Sequence, residues 1–323
     1  MNPIQPETSP VTRISSGLRV FLMIGAALTL ARVGLFFVQF QSPQVAYLLS
    51  LGVSALFLAL PIIALFRAAA DRWTPARGAI LLILGVLLHA GGLALASSLF
   101  RGQGLGGVAL SALAQWGLML WCVGLGALLA CLIRDKNLIL PIAAFLAGFD
   151  VFLIFAPVTP TKAILEGMPQ FFEKVTYVVP TFGAEELARI GPADFFILSM
   201  LFIVLFKFQM KTIETFRWMI PILVAYLLIV LVLGDVTIGR FSFGMLPALL
   251  PIGLTVLWIN RGEFQLTREE RNATYGVCVL ALGLAISAFL LPTPKSEPSK
   301  SAPAPGVEAP AATPGPALPN QSP

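Results

Sequence analysis

Residues 147–157 read AGFDVFLIFAP and place one carboxylate, Asp150, in an otherwise apolar run. The whole chain is similarly apolar, since 57% of its residues are hydrophobic and only 11% are charged. Its mean hydropathy of +0.88 lies far from the average of soluble globular proteins. The stretch therefore predicts a transmembrane helix that carries an ionisable group.

Nine segments of the chain are apolar and long enough to cross a bilayer, since one crossing takes roughly 20 helical residues. They cover about 18–40, 45–66, 78–100, 106–133, 137–157, 191–209, 216–234, 242–260 and 273–291. The first segment follows a short polar tail without a small-residue cleavage site, so we expect it to be retained as an anchor. The sequence predicts an all-α, polytopic transmembrane helix bundle of about nine helices with no separate soluble domain.

Composition divides the chain into regions. These are a polar tail at 1–17, four helices at 18–136, a core at 137–260 with a long loop at 158–190, one additional helix at 261–291 and a tail at 292–323. From Leu291 onward the last tail contains ten prolines with Ala, Ser and Thr between them. Such a stretch cannot bury enough apolar surface to offset its ordering entropy, so we expect a disordered spacer.

Basic residues predict which way the helices run, because they concentrate in cytoplasmic loops. With tails and loops assigned alternately, thirteen basic residues share the N-terminal side and seven lie on the other. The thirteen are Arg13, Arg19, Arg67, Arg72, Arg77, Arg134, Lys136, Lys207, Lys211, Arg217, Arg261, Arg268 and Arg271; the seven are Arg101, Lys162, Lys174, Arg189, Arg240, Lys295 and Lys300. The N-terminus is therefore predicted to be cytoplasmic. Arg32 lies deep in the first helix, where we expect it to snorkel or to bond a neighbouring helix.

Several kinds of site are disfavoured by the residues present. The single His89 cannot build a zinc site alone, and no HExxH or GxSxG motif occurs. Cys122, Cys131 and Cys278 lie in apolar segments without metal-ligand spacing, so we expect them to pack as small hydrophobic side chains. A net charge of +5 does not indicate a nucleic-acid partner. We expect no metal and no cofactor.

A second carboxylate lies at a similar predicted depth to Asp150. Asp150 precedes Pro157 by seven residues, or roughly 10 Å of helix. Asp194 follows Gly191 by three residues, or roughly 5 Å. Both depths are measured from the outer face in the predicted orientation, so adjacent antiparallel helices would bring the carboxylates together. An ionisable residue inside the membrane indicates a functional site by default.

The eighth segment adds two prolines near the same face, Pro247 and Pro251 in FGMLPALLPIGL at 243–254. Proline lacks an amide N–H and leaves a carbonyl of the preceding turn free. Such backbone is tolerated at membrane depth only where it faces protein or a watery cavity. The sequence thus predicts two aspartates and a broken helix toward one side of the membrane.

Three stretches carry a resemblance to a known family. AGFD at 147–150, GPAD at 191–194 and PAL at 247–249 resemble, in this order, the YD, GxGD and PAL motifs of the presenilin and signal peptide peptidase family of intramembrane aspartyl proteases. The resemblance covers roughly residues 138–260 and does not extend over the first four helices. It implies a divergent prokaryotic member, located in the cytoplasmic membrane of a bacterium or archaeon.

The resemblance also implies roles for individual residues. Asp150 and Asp194 would be the catalytic pair, acting on transmembrane helices or signal peptides. The residues implied to bind substrate are Phe149, Gly191, Ala193, Pro247, Ala248 and Leu249. Phe149 departs from the family, which usually has tyrosine there, and Ala193 replaces the second glycine of GxGD. Four rather than five helices precede the first aspartate, and one is added after the PAL helix.

Other interpretations stay open beside proteolysis. The aspartates could be structural polar contacts or a cation site, and the chain could be a catalytically silent protein that binds membrane helices. A secondary transporter also uses carboxylates near the midplane. Part of the 158–190 loop could form a strand whose edge pairs with an unwound substrate, or could cover the bundle instead. The residues concerned are Phe171, Phe172, Val175, Tyr177, Val178 and Val179.

Overall fold

The structure is a computed structural model that describes residues 16–38, 40–101, 103–156, 167–168, 174–182, 189–233, 236–238, 241–242 and 247–291. In these ranges the helices are α1 (Ser16–Leu35), α2 (Pro43–Ala69), α3 (Pro75–Phe100), α4 (Gly104–Leu132), α5 (Ile139–Phe155), α6 (Pro192–Lys207), α7 (Thr212–Leu233), α8 (Leu249–Asn260) and α9 (Arg268–Leu290). Two antiparallel hairpins pair β1 (Tyr177–Val178) with β2 (Arg189–Ile190) and β3 (Thr237–Ile238) with β4 (Phe241–Ser242). The predicted all-α class is confirmed. The described residues contain nine α-helices, as predicted, but not all nine are long enough to cross a membrane. Both predicted tails fall largely or wholly outside the described residues.

Seven of the described helices are long and apolar enough to cross a membrane. They are α1, α2, α3, α4, α5 with the 3-10 turn that precedes it, α7 and α9. The remaining two, α6 and α8, have only 16 and 12 residues. At 1.5 Å per residue a helix of 12 residues is roughly 18 Å long, which is shorter than the hydrocarbon core of a bilayer.

The predicted helix at 242–260 is wrong in its first part, because α8 begins only at Leu249. Pro247 stands before the helix, and Pro251 falls in its first turn. A proline is tolerated in the first turn because its missing amide would have no intrahelical partner there. Hydropathy registers apolar side chains but not these missing amides, so the pattern overestimated the helix.

The helices pack into two groups. α4 packs against α1, α3 and α6, while α2 packs against α1, α6 and α7. α5 packs against α8 and α9. In the part of the chain that the structure describes, the second group meets the first chiefly through α8, which contacts α6 and α7. α5 and α6 therefore belong to different groups, although they are consecutive helices.

α9 covers one side of α5 along its length. A side chain at Gly148 would collide with the Ala281 carbonyl, so the two backbones approach closely there. Near the start of α5, the Asn137 side-chain amide donates to the Gln265 carbonyl at 3.0 Å. Near its end, Phe155 stacks on Phe289 with ring centroids 5.3 Å apart. The additional helix is thus an integral part of the bundle.

The segment that contains β1 is anchored inside the bundle by polar side chains. Gln115 of α4 donates to the Thr176 carbonyl and accepts from the Val178 amide, both at 3.1 Å. Arg32 of α1 donates to the Val178 carbonyl. From the sequence we expected Arg32 to snorkel or to bond a neighbouring helix. In the structure it bonds to the backbone of a strand instead. Its charge lies among protein groups that accept hydrogen bonds.

Tyr177 completes this anchor. Its hydroxyl donates to the Phe57 carbonyl of α2 at 3.3 Å. In a regular helix that carbonyl would accept from residue 61, but Pro61 has no amide N–H. Burial raises the pKa of Tyr177 above its ordinary value, and the Arg32 guanidinium, 5.0 Å from the ring centroid, opposes that rise. The tyrosine is therefore a neutral hydroxyl that replaces a missing amide.

The two expectations for the 158–190 loop each hold for part of it. Tyr177 and Val178 form a strand, as one interpretation required, and pair with β2. Tyr177 and Val179 are buried in the bundle, as the other required. Phe171 and Phe172 lie outside the described residues.

We predict that Arg32→Met releases the β1 segment. Removing a charged donor from the partly buried Val178 carbonyl should lower the free energy of unfolding by about 2 kcal/mol. Amide exchange in peptides covering 174–182 should accelerate, and the thermal unfolding midpoint in detergent should fall. Arg19→Met is the matched control, because Arg19 lies on the same helix and is exposed. Equal exchange in the two variants would contradict the anchoring role.

Candidate active site

Asp194 is positioned by the first turn of α6. Gly191 is the N-cap, Pro192 opens the helix, and Asp194 occupies the third helical position. The Asp194 carboxylate accepts a hydrogen bond from the Gly191 amide. An acidic side chain at this position commonly reaches back to the N-cap amide in this way. The sequence GPAD thus builds a helix start and fixes the carboxylate by the same contact.

Gly191 does not depend on being glycine in this arrangement. Its φ of −67° is accessible to any residue. A Cβ built on it would lie 3.6 Å from Asp194 Oδ2, an ordinary van der Waals distance. The first glycine of the motif is therefore required neither by backbone conformation nor by lack of space.

Asp150 is positioned by a helix other than its own. Its Oδ2 accepts from the Leu249 amide at 2.7 Å, and the Leu250 amide also donates to the carboxylate. These are first-turn amides of α8, whose own N-cap residue, Ala248, provides no side-chain cap. Amides at a helix start need an external acceptor, and the helix dipole favours a negative charge there. Asp150 caps α8 from α5.

The two carboxylates come close enough to interact electrostatically. The predicted route to this contact is wrong, however, because α5 and α6 do not pack along each other in the described structure. α8 contacts both helices instead, and Asp150 bonds to its first turn. The pair therefore lies at a junction of three helices. Each of the two residues retains a minor part of its surface accessible in the described structure.

The PAL residues form the turn that leads into this junction. Pro247 and Leu249 are buried, and Ala248 is partly exposed. The Pro247 carbonyl accepts from the Tyr226 hydroxyl of α7 at 2.7 Å. Tyr226 also interacts electrostatically with both aspartates. The structure thus brings together Asp150, Asp194 and the PAL turn, as predicted, and adds a tyrosine that sequence reasoning missed.

Two sequence signals could have pointed to Tyr226. The chain has only four tyrosines, and this one lies within an apolar helix, seven residues before its end at Leu233. The second signal is the four-residue spacing of Pro247 and Pro251. In a helix the carbonyl of residue 247 would accept from the amide of residue 251, and proline has none. Neither signal states which donor and which carbonyl meet, because that depends on helix packing.

The remaining predicted substrate residues have separate surroundings. Phe149 stacks on Phe145 of the same helix, with ring centroids 5.6 Å apart. Ala193 is partly exposed next to Asp194. Because α5 and α6 do not pack along each other, its extra methyl group is not pressed into a contact between these helices.

Cys122 of α4 lies beside the start of α6. Its thiol donates to the Pro192 carbonyl with an S···O distance of 3.5 Å, and it interacts electrostatically with Asp194. The residue is fully buried in the core, which fits its predicted role as a small packing side chain. Its closeness to Asp194 was not visible from the sequence.

His89 lies at the contact of α3 with α4. Its Nδ1 is 2.8 Å from the Ala114 carbonyl oxygen, while its buried Nε2 has no hydrogen-bond partner. Among the described residues, no group of three or more His, Cys, Asp or Glu side chains is arranged to hold a metal ion.

Comparisons of this chain with known protein families, with curated proteins and with solved structures found no match. The resemblance to the presenilin and signal peptide peptidase family therefore rests on the three sequence motifs alone. Chemically, two interacting carboxylates that are partly exposed can bind one water molecule and exchange protons with it.

We predict that Asp150→Ala destabilises the protein and that Asp150→Asn does so much less. Alanine leaves the first-turn amides of α8 without an acceptor, which should cost about 1 to 2 kcal/mol. The asparagine side-chain oxygen can still accept from the Leu249 amide. Thermal unfolding in detergent measures the difference, with the exposed Asp135→Asn as control. Equal midpoints for Ala and Asn would mean that the Asp150 cap adds nothing.

Proposed function

We propose that this chain is an intramembrane aspartyl protease that cleaves transmembrane helices or remnant signal peptides. The observation that carries the proposal is the approach of Asp150 of α5, which caps the first turn of α8, to Asp194 in the first turn of α6. The electrostatic interaction of Asp150 with Asp194 and the bond from Leu249 to Asp150 support it. The motifs that resemble YD, GxGD and PAL are thereby assembled in one place.

The proposed mechanism divides acid and base roles between the two aspartates. Two carboxylates that interact in a medium of low dielectric do not readily carry a negative charge at the same time, so the pair retains one proton. The ionised carboxylate takes a proton from water, and the resulting hydroxide attacks the scissile carbonyl carbon. The protonated carboxyl gives its proton to the leaving amide nitrogen as the C–N bond breaks. The titration belongs to the pair as a unit.

A helical substrate must unwind before hydrolysis, because its amides are bonded internally and its carbonyls are shielded. An exposed strand edge offsets part of this loss by pairing with the freed backbone. The β1–β2 and β3–β4 hairpins lie in the connections before α6 and before α8. Because Gln115 and Arg32 already bond the backbone of β1, the candidate edges are β2 and the second hairpin. These connections lead directly into the helix starts at which the carboxylates lie.

The proposed setting is the cytoplasmic membrane of a bacterium or archaeon, with the N-terminus in the cytoplasm. The seven long apolar helices support a membrane location. The orientation rests on the sequence count of thirteen basic residues against seven, which assigns the loops for nine crossings. α5 then runs outward, and both aspartates lie toward the outer face. Substrates would be single helices that run outward from a cytoplasmic N-terminus, antiparallel to α6.

A catalytically silent, helix-binding protein is the second candidate, and one observation favours it. Asp150 caps α8 and Asp194 bonds the N-cap amide of α6, so each carboxylate has a structural task. A bundle could retain both aspartates for these tasks alone. The test must therefore remove acid–base chemistry while keeping the hydrogen bonds.

We predict that Asp150→Asn and Asp194→Asn each abolish cleavage while the protein stays folded. Asparagine keeps an acceptor oxygen but cannot exchange a proton, so the rate should fall at least roughly 100-fold. The measurement is the initial cleavage rate of a signal-peptide-like helix in liposomes, with Asp135→Asn as control. Cleavage by either variant at a rate near that of the wild type would contradict the catalytic pair. Binding of the helix by wild type without cleavage would favour the silent protein.

We predict that single cysteines at Gly167 and at Arg72 or Glu214 label from opposite sides of the membrane. Gly167 lies in the long loop that the charge distribution places outside. Arg72 lies in the connection between α2 and α3 and Glu214 in the first turn of α7, both of which it places inside. The three native cysteines are first replaced by alanine. A membrane-impermeant maleimide applied to intact cells should modify only position 167. External labelling at position 72 would contradict the orientation, and external labelling at position 214 alone would mean that α6 does not cross the membrane.

A further inference from the structure

Tyr226 reaches from α7 to the turn that precedes α8. Its hydroxyl donates to the Pro247 carbonyl at 2.7 Å, a short and strong contact for a neutral donor. The side chain is partly buried, and Pro247 is buried. A buried carbonyl that lacks a donor is costly, so this hydroxyl has a structural consequence at a specific atom.

The Pro247 carbonyl needs this donor because of the proline spacing. If α8 extended one residue further, the carbonyl of residue 247 would accept from the amide of residue 251. That residue is Pro251, which has no amide N–H. The first regular bond of the helix instead joins the Ile252 amide to the Ala248 carbonyl at 3.4 Å.

The same solution occurs at a second place in the bundle. The Phe57 carbonyl has lost its helical donor to Pro61, and it accepts from the Tyr177 hydroxyl at 3.3 Å. In both cases a tyrosine from a neighbouring element bonds the carbonyl four residues before a proline. The donors come from different elements, a strand for Tyr177 and a helix for Tyr226, so the substitution of hydroxyl for amide occurs twice in the described structure.

We propose that Tyr226 is a positioning residue of the aspartate pair. By occupying the Pro247 carbonyl, it holds the turn in the conformation that presents the Leu249 amide to Asp150. The inference rests on the proposed function where it concerns catalysis, and on the hydrogen bonds alone where it concerns the turn. Tyr226 thereby supplies, from α7, a phenol beside the carboxylates that Phe149 does not provide.

The test combines removal of the hydroxyl with restoration of the amide. Four proteins are compared: wild type, Tyr226→Phe, Pro251→Ala and the double variant. Pro251→Ala gives residue 251 an N–H that can donate to the Pro247 carbonyl, which makes the tyrosine hydroxyl dispensable. Tyr47→Phe is the matched control, because its hydroxyl also lies near a backbone carbonyl, that of Leu231, at 3.5 Å.

The first readout is hydrogen–deuterium exchange at the amides of Leu249 and Leu250, which does not depend on catalysis. Tyr226→Phe should accelerate it roughly tenfold, the loss expected for one hydrogen bond, and the double variant should return it toward wild type. The control should leave it unchanged. Unchanged exchange in Tyr226→Phe, or no recovery in the double variant, would overturn the inference.

The second readout is the kinetics of helix cleavage. Tyr226→Phe should lower kcat roughly tenfold, since the turn no longer holds Asp150, and should leave KM within about twofold. The double variant should recover kcat. If wild type cleaves and Tyr226→Phe cleaves equally well, the positioning role is wrong. If exchange behaves as expected but wild type cleaves nothing, the turn-holding role stands and the proposed proteolytic function fails.

Discussion

Every backbone amide and carbonyl inside an apolar bundle must find a partner within the protein, and the candidate site is arranged around this requirement. The first-turn amides of α8 have no acceptor in their own segment, and Asp150 provides one from α5. The Gly191 amide at the start of α6 is met by Asp194 in the same way. The two carboxylates are near each other because two helix starts are near each other. The hydrogen bonds that satisfy these amides are thus the same contacts that hold the two carboxylates in place.

Prolines create a second set of unpaired backbone groups in the bundle, and tyrosine hydroxyls bond them. Where Pro61 and Pro251 withhold amides, hydroxyls from Tyr177 and Tyr226 reach in from neighbouring elements. The first bond fixes the position of β1 relative to α2, and the second fixes α7 relative to the turn before α8. Hydrophobic contacts are not directional and would not fix these positions alone. The site is therefore held by directional contacts at helix starts and proline turns, while the long apolar helices around it contribute the scaffold.

The sequence predicted the helices well because hydrophobic runs of this length have few alternatives. It also predicted, from residue counting, that Asp150 toward the end of α5 and Asp194 at the start of α6 come together, and the two carboxylates do interact. It failed where the outcome depends on hydrogen bonding or on which helices touch. The start of α8 was misplaced because hydropathy does not register the missing amide of Pro251. The direct packing of α5 on α6 was wrong, because the long connection between them lets α5 join α8 and α9 instead.

The bond from Leu249 to Asp150 spans 99 residues of sequence, which bears on how the protein is made. A chain that is inserted from its N-terminus delivers α5 well before α8. In the proposed membrane setting, Asp150 enters with neither its amide donors nor Asp194, at the stage when an uncompensated carboxylate is most costly. The α9 contacts that flank α5 arrive later still. In that setting the Asp150 carboxylate would gain its amide donors only after α8 has been inserted.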